Sequence, residues 1–119
     1  MVMLPGGLGG VDAIRSCPAA MALVQYAFEH GIKLSAICAA PTILSQLGML
    51  DGKRAVCYPS MMDQLAGALP NDGLSVVEDG SFITGEAAGS AFEFGFKLIE
   101  SLRGADAAQK VRNAIYFRG

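Results

Sequence analysis

The alternation of short apolar runs with helix-like runs is the feature that most constrains the fold of this chain. IKLSAIC, residues 32–38, has the mostly apolar character of a β-strand that is buried on both faces. PTILSQLG, residues 41–48, follows it as a short helix, with Pro41 in the first turn and Gly48 after the last. A strand that passes at once into a helix is the repeating unit of a parallel α/β sheet.

The same alternation continues on both sides of this unit. MVMLPGG at residues 1–7 predicts a strand that ends in a turn, and CPAAMALVQYAFEHG at residues 17–31 predicts a helix. KRAVCY at residues 53–58 predicts a further strand. The remaining predictions are a short helix over 59–70, a hairpin over 74–84, a long helix over 89–104 and a weaker last helix over 105–117.

Local signals sharpen three of these predictions. Ser60 suits the N-cap of the short helix, and Asp79 with Gly80 is the dipeptide that a two-residue type I′ hairpin turn requires. Ser90 and Glu93 have the spacing of a capping box at the start of the long helix. Together the elements predict an α/β fold, with helices on both faces of a mostly parallel sheet and one antiparallel hairpin at an edge.

The composition narrows the kind of protein. The 119 residues are 52% hydrophobic and 17% charged with a net charge of −2, which fits one compact domain over residues 1–119, without internal repeat or linker. Lysines and arginines are scattered, so we expect no nucleic-acid partner. The apolar runs are broken too early to cross a bilayer, and the first residues lack the basic start of a secretion signal. We therefore expect no membrane partner and a cytoplasmic location.

Three cysteines, Cys17, Cys38 and Cys57, are the candidates for chemistry. Their odd number and their spacing argue against a disulfide framework and against a metal site, so each is interpreted as a free thiol. Cys17 directly precedes Pro18 and is explained as a helix N-cap or a surface thiol. Cys57 lies near the end of a predicted strand, where lining a cleft and plain packing explain it equally well.

Cys38 differs because it lies on the tight turn between a strand and a helix. Such a turn thrusts the side chain out of the sheet, beside backbone N–H groups that favour the thiolate, the reactive form of cysteine. The N–H groups of Ala39 and of Gly7, on the neighbouring strand, are predicted to hold a developing oxyanion. Cys38 is therefore the predicted nucleophile.

The residues alone do not single out a catalytic base. His30, the only histidine, precedes the strand that Cys38 ends, so the length of that strand separates the two side chains. A structural role at the end of its helix explains His30. Glu86 follows the hairpin and is interpreted either as facing the cleft or as a surface carboxylate.

Five motifs, in this order, resemble the ThiJ/PfpI superfamily, in its branch with the Parkinsonism-associated deglycases. The motifs are LPGG at 4–7, AICAAPTIL at 36–44, CYP at 57–59, VVEDGSFIT at 76–84 and GSAFEFGFKLIESLRG at 89–104. The resemblance implies a flavodoxin-like three-layer sandwich, a homodimer and a site without cofactor in which Cys38 is the nucleophile. It also implies that Gly6 and Gly7 form the oxyanion-side turn and that Ala39 supplies the N–H after the nucleophile.

Three features depart from the family's pattern. Tyr58, before Pro59, stands where some members have a histidine in the cleft, and residues 86–89 stand where Arg-Gly-Pro-Gly is common. The opening βαβ portion of the family, with a glutamate that hydrogen-bonds the cysteine, has no counterpart here. We expect the C-terminal two-thirds of the family fold, incomplete at the N-terminus, associating as a homodimer or with a missing N-terminal segment. The residues expected to line the cleft are Cys57, Tyr58, Pro59 and Glu86.

Functions from different classes follow from the resemblance. The first is glyoxalase- or deglycase-type chemistry, in which Cys38 attacks a small reactive carbonyl such as methylglyoxal, or a glycated substrate. The second is an oxidative-stress sensor or chaperone-like protein that acts through oxidation of Cys38. An inactive remnant that keeps only the fold is the third interpretation.

Overall fold

Four strands and five α-helices make up the regular structure of the chain. The computed structural model describes residues 1–69 and 73–119. The strands are β1 (Val2–Leu4), β2 (Leu34–Ile37), β3 (Val76–Asp79) and β4 (Phe82–Gly85). The α-helices are α1 (Leu8–Arg15), α2 (Pro18–Glu29), α3 (Pro41–Gln46), α4 (Ala91–Arg103) and α5 (Ala105–Ala114). Two 3-10 helices, Pro59–Gln64 and Ala88–Ser90, connect them.

The strands form one mixed, mostly parallel sheet in the order β1-β2-β4-β3. β1 and β4 flank β2 in parallel, with Val2 and Phe82 opposite Leu34, and β3 pairs antiparallel with β4 at the edge. This confirms the predicted α/β class with its antiparallel hairpin. The carboxyl ends of β1, β2 and β4 therefore meet at one edge of the sheet, where ligands bind in folds of this class.

Helices cover both faces of the sheet. Leu34 and Ala36 are buried in one hydrophobic cluster with residues of α2 and α3. Ile37 faces the other way, where it and Phe94 of α4 approach Gly85. Alternate residues of β2 thus enter different layers, as the pleat of a strand requires. The three-layer sandwich predicted from the resemblance is confirmed.

Helix α1 is the element that the sequence did not predict. Gly9 and Gly10 lower the helix propensity of this stretch, so no helical pattern stands out. The helix forms because Val11, 1% exposed, is buried in the core cluster. Packing overrides propensity here. By contrast, the predicted helices that correspond to α2, α3, α4 and α5 are confirmed.

The strand predicted over residues 53–58 is wrong. Arg54 makes one isolated bridge with Leu69, and residues 55–58 have no regular secondary structure and do not join the sheet. Their backbone has other partners: the Val56 N–H donates to Thr84 Oγ1 at 3.0 Å, and the Tyr58 N–H donates to the Cys38 carbonyl at 2.7 Å. An apolar run can therefore be buried without forming a strand.

The boundaries and caps differ from prediction at three places. The helix predicted over 59–70 is the 3-10 helix Pro59–Gln64, and Ser60 makes no cap because Tyr58 is the N-cap residue; Pro70 lies outside the described residues. Ser90 is the N-cap of α4 but forms no side-chain cap hydrogen bond, so the capping box is not made.

The hairpin is confirmed, but its turn is shifted by one residue. Asp79 pairs with Phe82, which leaves Gly80 and Ser81 as the two turn residues. Of these, Gly80 alone has a positive φ, 60°, which indicates a type II′ rather than a type I′ turn. Asp79 stays in β3, and its carboxylate accepts a hydrogen bond from the Arg54 N–H at 2.9 Å.

Within the described parts of the chain, no helix combines the length and the hydropathy that a membrane span requires.

Candidate active site

Cys38 lies at the bend that joins β2 to α3. Its N–H still belongs to the sheet, donating to the Gly85 carbonyl at 3.0 Å. Its φ is +66°, in the left-handed region, where a side chain costs roughly 1–2 kcal/mol. The bend turns the chain out of the sheet so sharply that the thiol is left at the sheet's carboxyl edge.

Gly6 allows β1 to approach this bend closely. A Cβ placed on Gly6 would lie 2.7 Å from the Cys38 Cβ and 3.0 Å from the Ile37 carbonyl oxygen, both closer than packed atoms come. The turn after β1 and the bend after β2 therefore touch through a position that only glycine can fill. This contact places Gly6 and Gly7 beside the thiol, as the resemblance implies.

A cavity of about 520 Å³ opens on one side of Cys38. Gly7 and Leu8, after β1, line this cavity, and so does Ala39, the residue after Cys38. The 3-10 helix and the residue before it complete the lining with Tyr58, Ser60, Met61 and Gln64. Most of this surface is apolar, so a small ligand would meet few competing hydrogen bonds there.

A second, smaller cavity of about 240 Å³ lies on the other side of the thiol. It is lined by Gly6, Gly7, Ile37, Cys38, Ala88 and Ala91. Cys38 is half-buried and borders both cavities, so its sulfur is open to small molecules.

Two residues that line the larger cavity have a backbone N–H group for which the described residues offer no acceptor. Among the described residues, none accepts a hydrogen bond from the N–H of Gly7 or Ala39. Both residues line the larger cavity together with Cys38. Unpaired amide donors beside a thiol stabilise negative charge on a neighbouring oxygen, which is the role predicted for them.

A polar network behind the bend was not predicted. The Thr42 hydroxyl donates to the Ala39 carbonyl at 2.6 Å, and the Arg15 Nη2 group donates to Thr42 Oγ1 at 2.7 Å. Arg15 also donates through Nε to the Gln46 Oε1 at 2.9 Å. This network ties α1 to α3 and fixes the peptide that follows Ala39. The sequence carried no signal for it, because α1 itself was not predicted.

The four residues expected to line the cleft have different positions. Tyr58 lines the larger cavity and is 44% exposed. Pro59 starts the 3-10 helix with its side chain in solvent, and the half-buried Glu86 follows β4; neither residue lines either cavity. Cys57 is 1% exposed and does not line them. The lining of the two cavities at Cys38 thus includes Tyr58 and not the other three residues.

Cys57 belongs to the core next to the bend. Its sulfur lies 3.4 Å from the Tyr58 carbonyl oxygen and 3.7 Å from the Met62 sulfur. Burial, followed by the negative charges of Cys38 and Asp63, raises the pKa of the Cys57 thiol to about 11. Cys57 is therefore held as the neutral thiol at physiological pH.

The other two candidates lie away from the bend. Cys17 is an exposed thiol and the N-cap residue of α2. His30 follows α2, where its Nδ1 lies 2.8 Å from the Tyr26 carbonyl oxygen and its ring stacks on Tyr26. In residues 1–69 and 73–119, no three His, Cys, Asp or Glu side chains cluster so that they could hold a metal ion.

Comparison with known proteins gives a family. The model of the DJ-1/PfpI family matches residues 1–101. Protein dj-1beta of Drosophila melanogaster is 39% identical over 116 residues, which cover 97% of this chain and 62% of that protein. A Caenorhabditis elegans protein named glutathione-independent glyoxalase DJR-1.2 is 31% identical over 107 residues, covering 89% of this chain and 56% of that protein.

Solved structures agree with the sequence comparison. The crystal structure of Drosophila melanogaster DJ-1beta superposes with a TM-score of 0.92 at 38% identity, covering 99% of this chain and 64% of that one. The chain thus spans somewhat less than two-thirds of the length of these relatives. The matched region contains the β2 bend and both cavities.

Proposed function

The chain belongs to the DJ-1/PfpI family, and on that basis we propose that Cys38 is the nucleophile of a cofactor-independent enzyme acting on small reactive carbonyls. The observation that carries the proposal is the half-buried thiol on a left-handed bend, bordering a cavity of about 520 Å³. Similarity to a protein named as a glutathione-independent glyoxalase supports methylglyoxal as the substrate type. Glycated compounds that release such a carbonyl are the wider substrate class.

The first step is addition of the Cys38 thiolate to the aldehyde carbon of methylglyoxal. The S–C bond forms, the π electrons of the carbonyl move to its oxygen, and that oxygen takes up a proton to give a hemithioacetal. The unpaired N–H groups of Gly7 and Ala39 support this step, because they donate to the oxygen as its negative charge develops.

The later steps need a group that moves protons. A base removes the proton from the former aldehyde carbon, and the neighbouring carbon regains one through an enediol, which leaves a thioester of lactate. Water then cleaves the thioester and releases lactate and the Cys38 thiol. The residues that line the two cavities include no carboxylate and no imidazole. We propose that a carboxyl group outside this lining, on another segment or subunit, acts as the base.

Cys38→Ser tests this proposal. We expect the wild-type protein to convert methylglyoxal to lactate and the variant to lose that conversion, because a hydroxyl is a far weaker nucleophile than a thiolate. Cys17→Ser is the matched control, since it removes an exposed thiol far from the bend. Equal turnover in wild type and Cys38→Ser, or none in the wild type, contradicts the enzymatic proposal for this chain.

A second candidate function is an oxidative-stress sensor or chaperone-like protein that acts through oxidation of Cys38. The specific observation in its favour is that the lining of both cavities includes no carboxylate and no imidazole. Oxidation of a thiolate requires access and no proton relay. Three free thiols also favour a reducing compartment such as the cytoplasm as the place of either activity.

Peroxide titration separates the two functions. The sensor predicts that Cys38 gains oxygen at peroxide concentrations that leave Cys17 unmodified, while methylglyoxal is not consumed. The enzyme predicts consumption of methylglyoxal that oxidation of Cys38 abolishes. An inactive remnant predicts neither, and alkylation of Cys38 by iodoacetamide would then be no faster than alkylation of Cys17.

The free edge of β1 supports a proposal about partners. Among the described strands, β1 pairs with β2 alone. Met3 on this strand is 48% exposed, and Leu8 in the following helix is 67% exposed. An open strand edge beside exposed apolar side chains favours pairing with another strand. We propose that a second copy of the chain, as a homodimer, or a further family segment covers this edge.

Size-exclusion chromatography with light scattering measures this association. We expect the mass of a dimer for the isolated chain, and the mass of a one-to-one complex when a family segment that carries a further strand is added. A monomer that stays monomeric with the segment and unfolds cooperatively contradicts the proposal.

A further inference from the structure

Cys57 is a buried nucleophilic group that the proposed chemistry does not use. It lies against the bend that carries Cys38, because the Tyr58 N–H donates to the Cys38 carbonyl at 2.7 Å. That bond joins the peptide unit after Cys57 to the peptide unit after Cys38. Backbones joined in this way lie about 5 Å apart, and disulfides join Cα atoms about 4.4–6.8 Å apart. The two cysteines therefore lie within reach of a disulfide.

The electrostatics of the two thiols agree with this geometry. Burial raises the pKa of Cys57 first, and the negative charge of Cys38 raises it further. Two negative sulfurs side by side repel each other, so negative charge on Cys38 disfavours ionisation of Cys57. A neutral sulfenic acid on Cys38 removes this repulsion and makes ionisation of Cys57 easier.

We propose that Cys38 and Cys57 form a reversible redox pair in which Cys57 resolves the sulfenic acid that hydrogen peroxide forms on Cys38. In the first step, the Cys38 thiolate attacks one peroxide oxygen, the O–O bond breaks, and hydroxide leaves. In the second, Cys57 gives its proton to that hydroxide, which becomes the first water, and attacks the Cys38 sulfur. The S–S bond forms, the S–O bond breaks, and the second oxygen leaves as hydroxide, which becomes the second water by taking up the proton that the Cys38 thiol released on ionising. Two thiols lose two electrons, and one peroxide becomes two waters.

The packing around Cys57 allows this step with a local movement. Its sulfur lies 3.7 Å from the Met62 sulfur, so the Cys57 side chain and the backbone that carries it must shift to bring the sulfur to Cys38. Met62 is half-buried on the 3-10 helix, and methionine repacks easily because its side chain is unbranched and flexible. The disulfide withdraws Cys38 from both cavities, which suspends carbonyl chemistry and protects the sulfur from irreversible oxidation.

The inference rests on the reactivity of Cys38 proposed above, and peroxide treatment followed by peptide mapping without reductant tests it. We expect the wild-type protein to lose two hydrogens, to yield a Cys38–Cys57 linked peptide, and to regain both thiols with dithiothreitol. Cys57→Ala and Cys57→Ser should instead gain two oxygens at Cys38, and dithiothreitol should not reverse this. Cys17→Ser is the matched control and should form the disulfide like the wild type.

The outcomes separate the pair from the proposed nucleophile. Sulfinate on Cys38 with a free Cys57 thiol in the wild type overturns the redox pair and leaves the nucleophile in place. Reduced Cys38 throughout the titration overturns the reactivity of Cys38 and the pair with it. Because the linked peptide is sought in the wild type, the test does not depend on the folding of either Cys57 variant.

Discussion

The bend after β2 and the turn of the hairpin each hold one residue at a positive φ, but with different residue types. Gly80, with a φ of 60°, is exposed at the tip of the hairpin, and glycine adopts this conformation readily. Cys38, with a φ of 66°, adopts it in a half-buried bend at a cost of roughly 1–2 kcal/mol. The hairpin turn reverses the chain, whereas the β2 bend keeps a strained side chain that borders two cavities.

Cys38→Gly sharpens this comparison most, because it gives the bend the residue that the hairpin has. We expect complete loss of thiol reactivity and of methylglyoxal consumption. The free energy of unfolding should change by less than about 1 kcal/mol, since relief of strain offsets the entropy that glycine loses on folding. Urea unfolding and a turnover assay measure the two effects. Strong destabilisation would mean that the cysteine is retained for packing.

Gly6→Ala breaks the close approach that the β2 bend depends on. Its new methyl group would meet the Cys38 Cβ at 2.7 Å, so we expect a loss of roughly 1–3 kcal/mol of stability and slower alkylation of Cys38. Gly10→Ala is the matched control, because a Cβ there meets no atom within 4 Å and alanine favours the helix. Thermal unfolding of both variants measures the effect; equal stability of Gly6→Ala and wild type would contradict the contact.

The stability of the protein at alkaline pH tests whether Cys57, unlike the half-buried Cys38, is held as a buried neutral thiol. Burial raises the pKa of Cys57 from 9.0 to about 11, so the folded protein keeps a proton that the unfolded chain releases. Stability from this group is complete below pH 9 and is lost as the pH rises toward 11, on the order of 2–3 kcal/mol. Cys57→Ala should lack this part of the decline. Parallel stability curves for wild type and variant between pH 8 and about 11 would contradict it.

Gly80→Ala has the smallest expected effect and completes the comparison at the hairpin. A side chain at this positive φ should cost about 1 kcal/mol. Steric conflict adds little, because the nearest atom to the new methyl group, at 3.3 Å, is the end of the flexible Lys53 side chain. Reactivity of Cys38 should be unchanged. Urea unfolding and alkylation measure the two quantities, and altered alkylation would indicate coupling between the regions.

The sequence predicted the parts of the fold whose signals are local. β2 is short, apolar and followed by Pro41, and α4 is strongly amphipathic, so both stand out before any tertiary contact is known. Cys38 could be placed on the bend for the same reason. The family motifs around it are also contiguous in the chain, which is why the resemblance could be recognised.

The parts that were missed depend on contacts between distant residues. Helix α1 forms against its propensity because Val11 is buried, and Arg15 on it reaches Thr42 behind the bend. The residues around Cys57 look like a strand, but Thr84 and Cys38 take up their hydrogen bonds. Which side chains line a cavity depends on these long-range contacts, so Met61 and Gln64 could not be foreseen.

Whether the β2 bend activates the Cys38 thiol is best measured by the rate of iodoacetamide alkylation at each cysteine in native buffer, followed by peptide mass spectrometry. Exposure alone predicts that Cys17, the exposed thiol, reacts first. We expect half-buried Cys38 to react fastest and Cys17 more slowly. Cys57 should react last, because it is buried and protonated. Alkylation of Cys38 that is no faster than that of Cys17 would contradict the claim that the β2 bend activates its thiol.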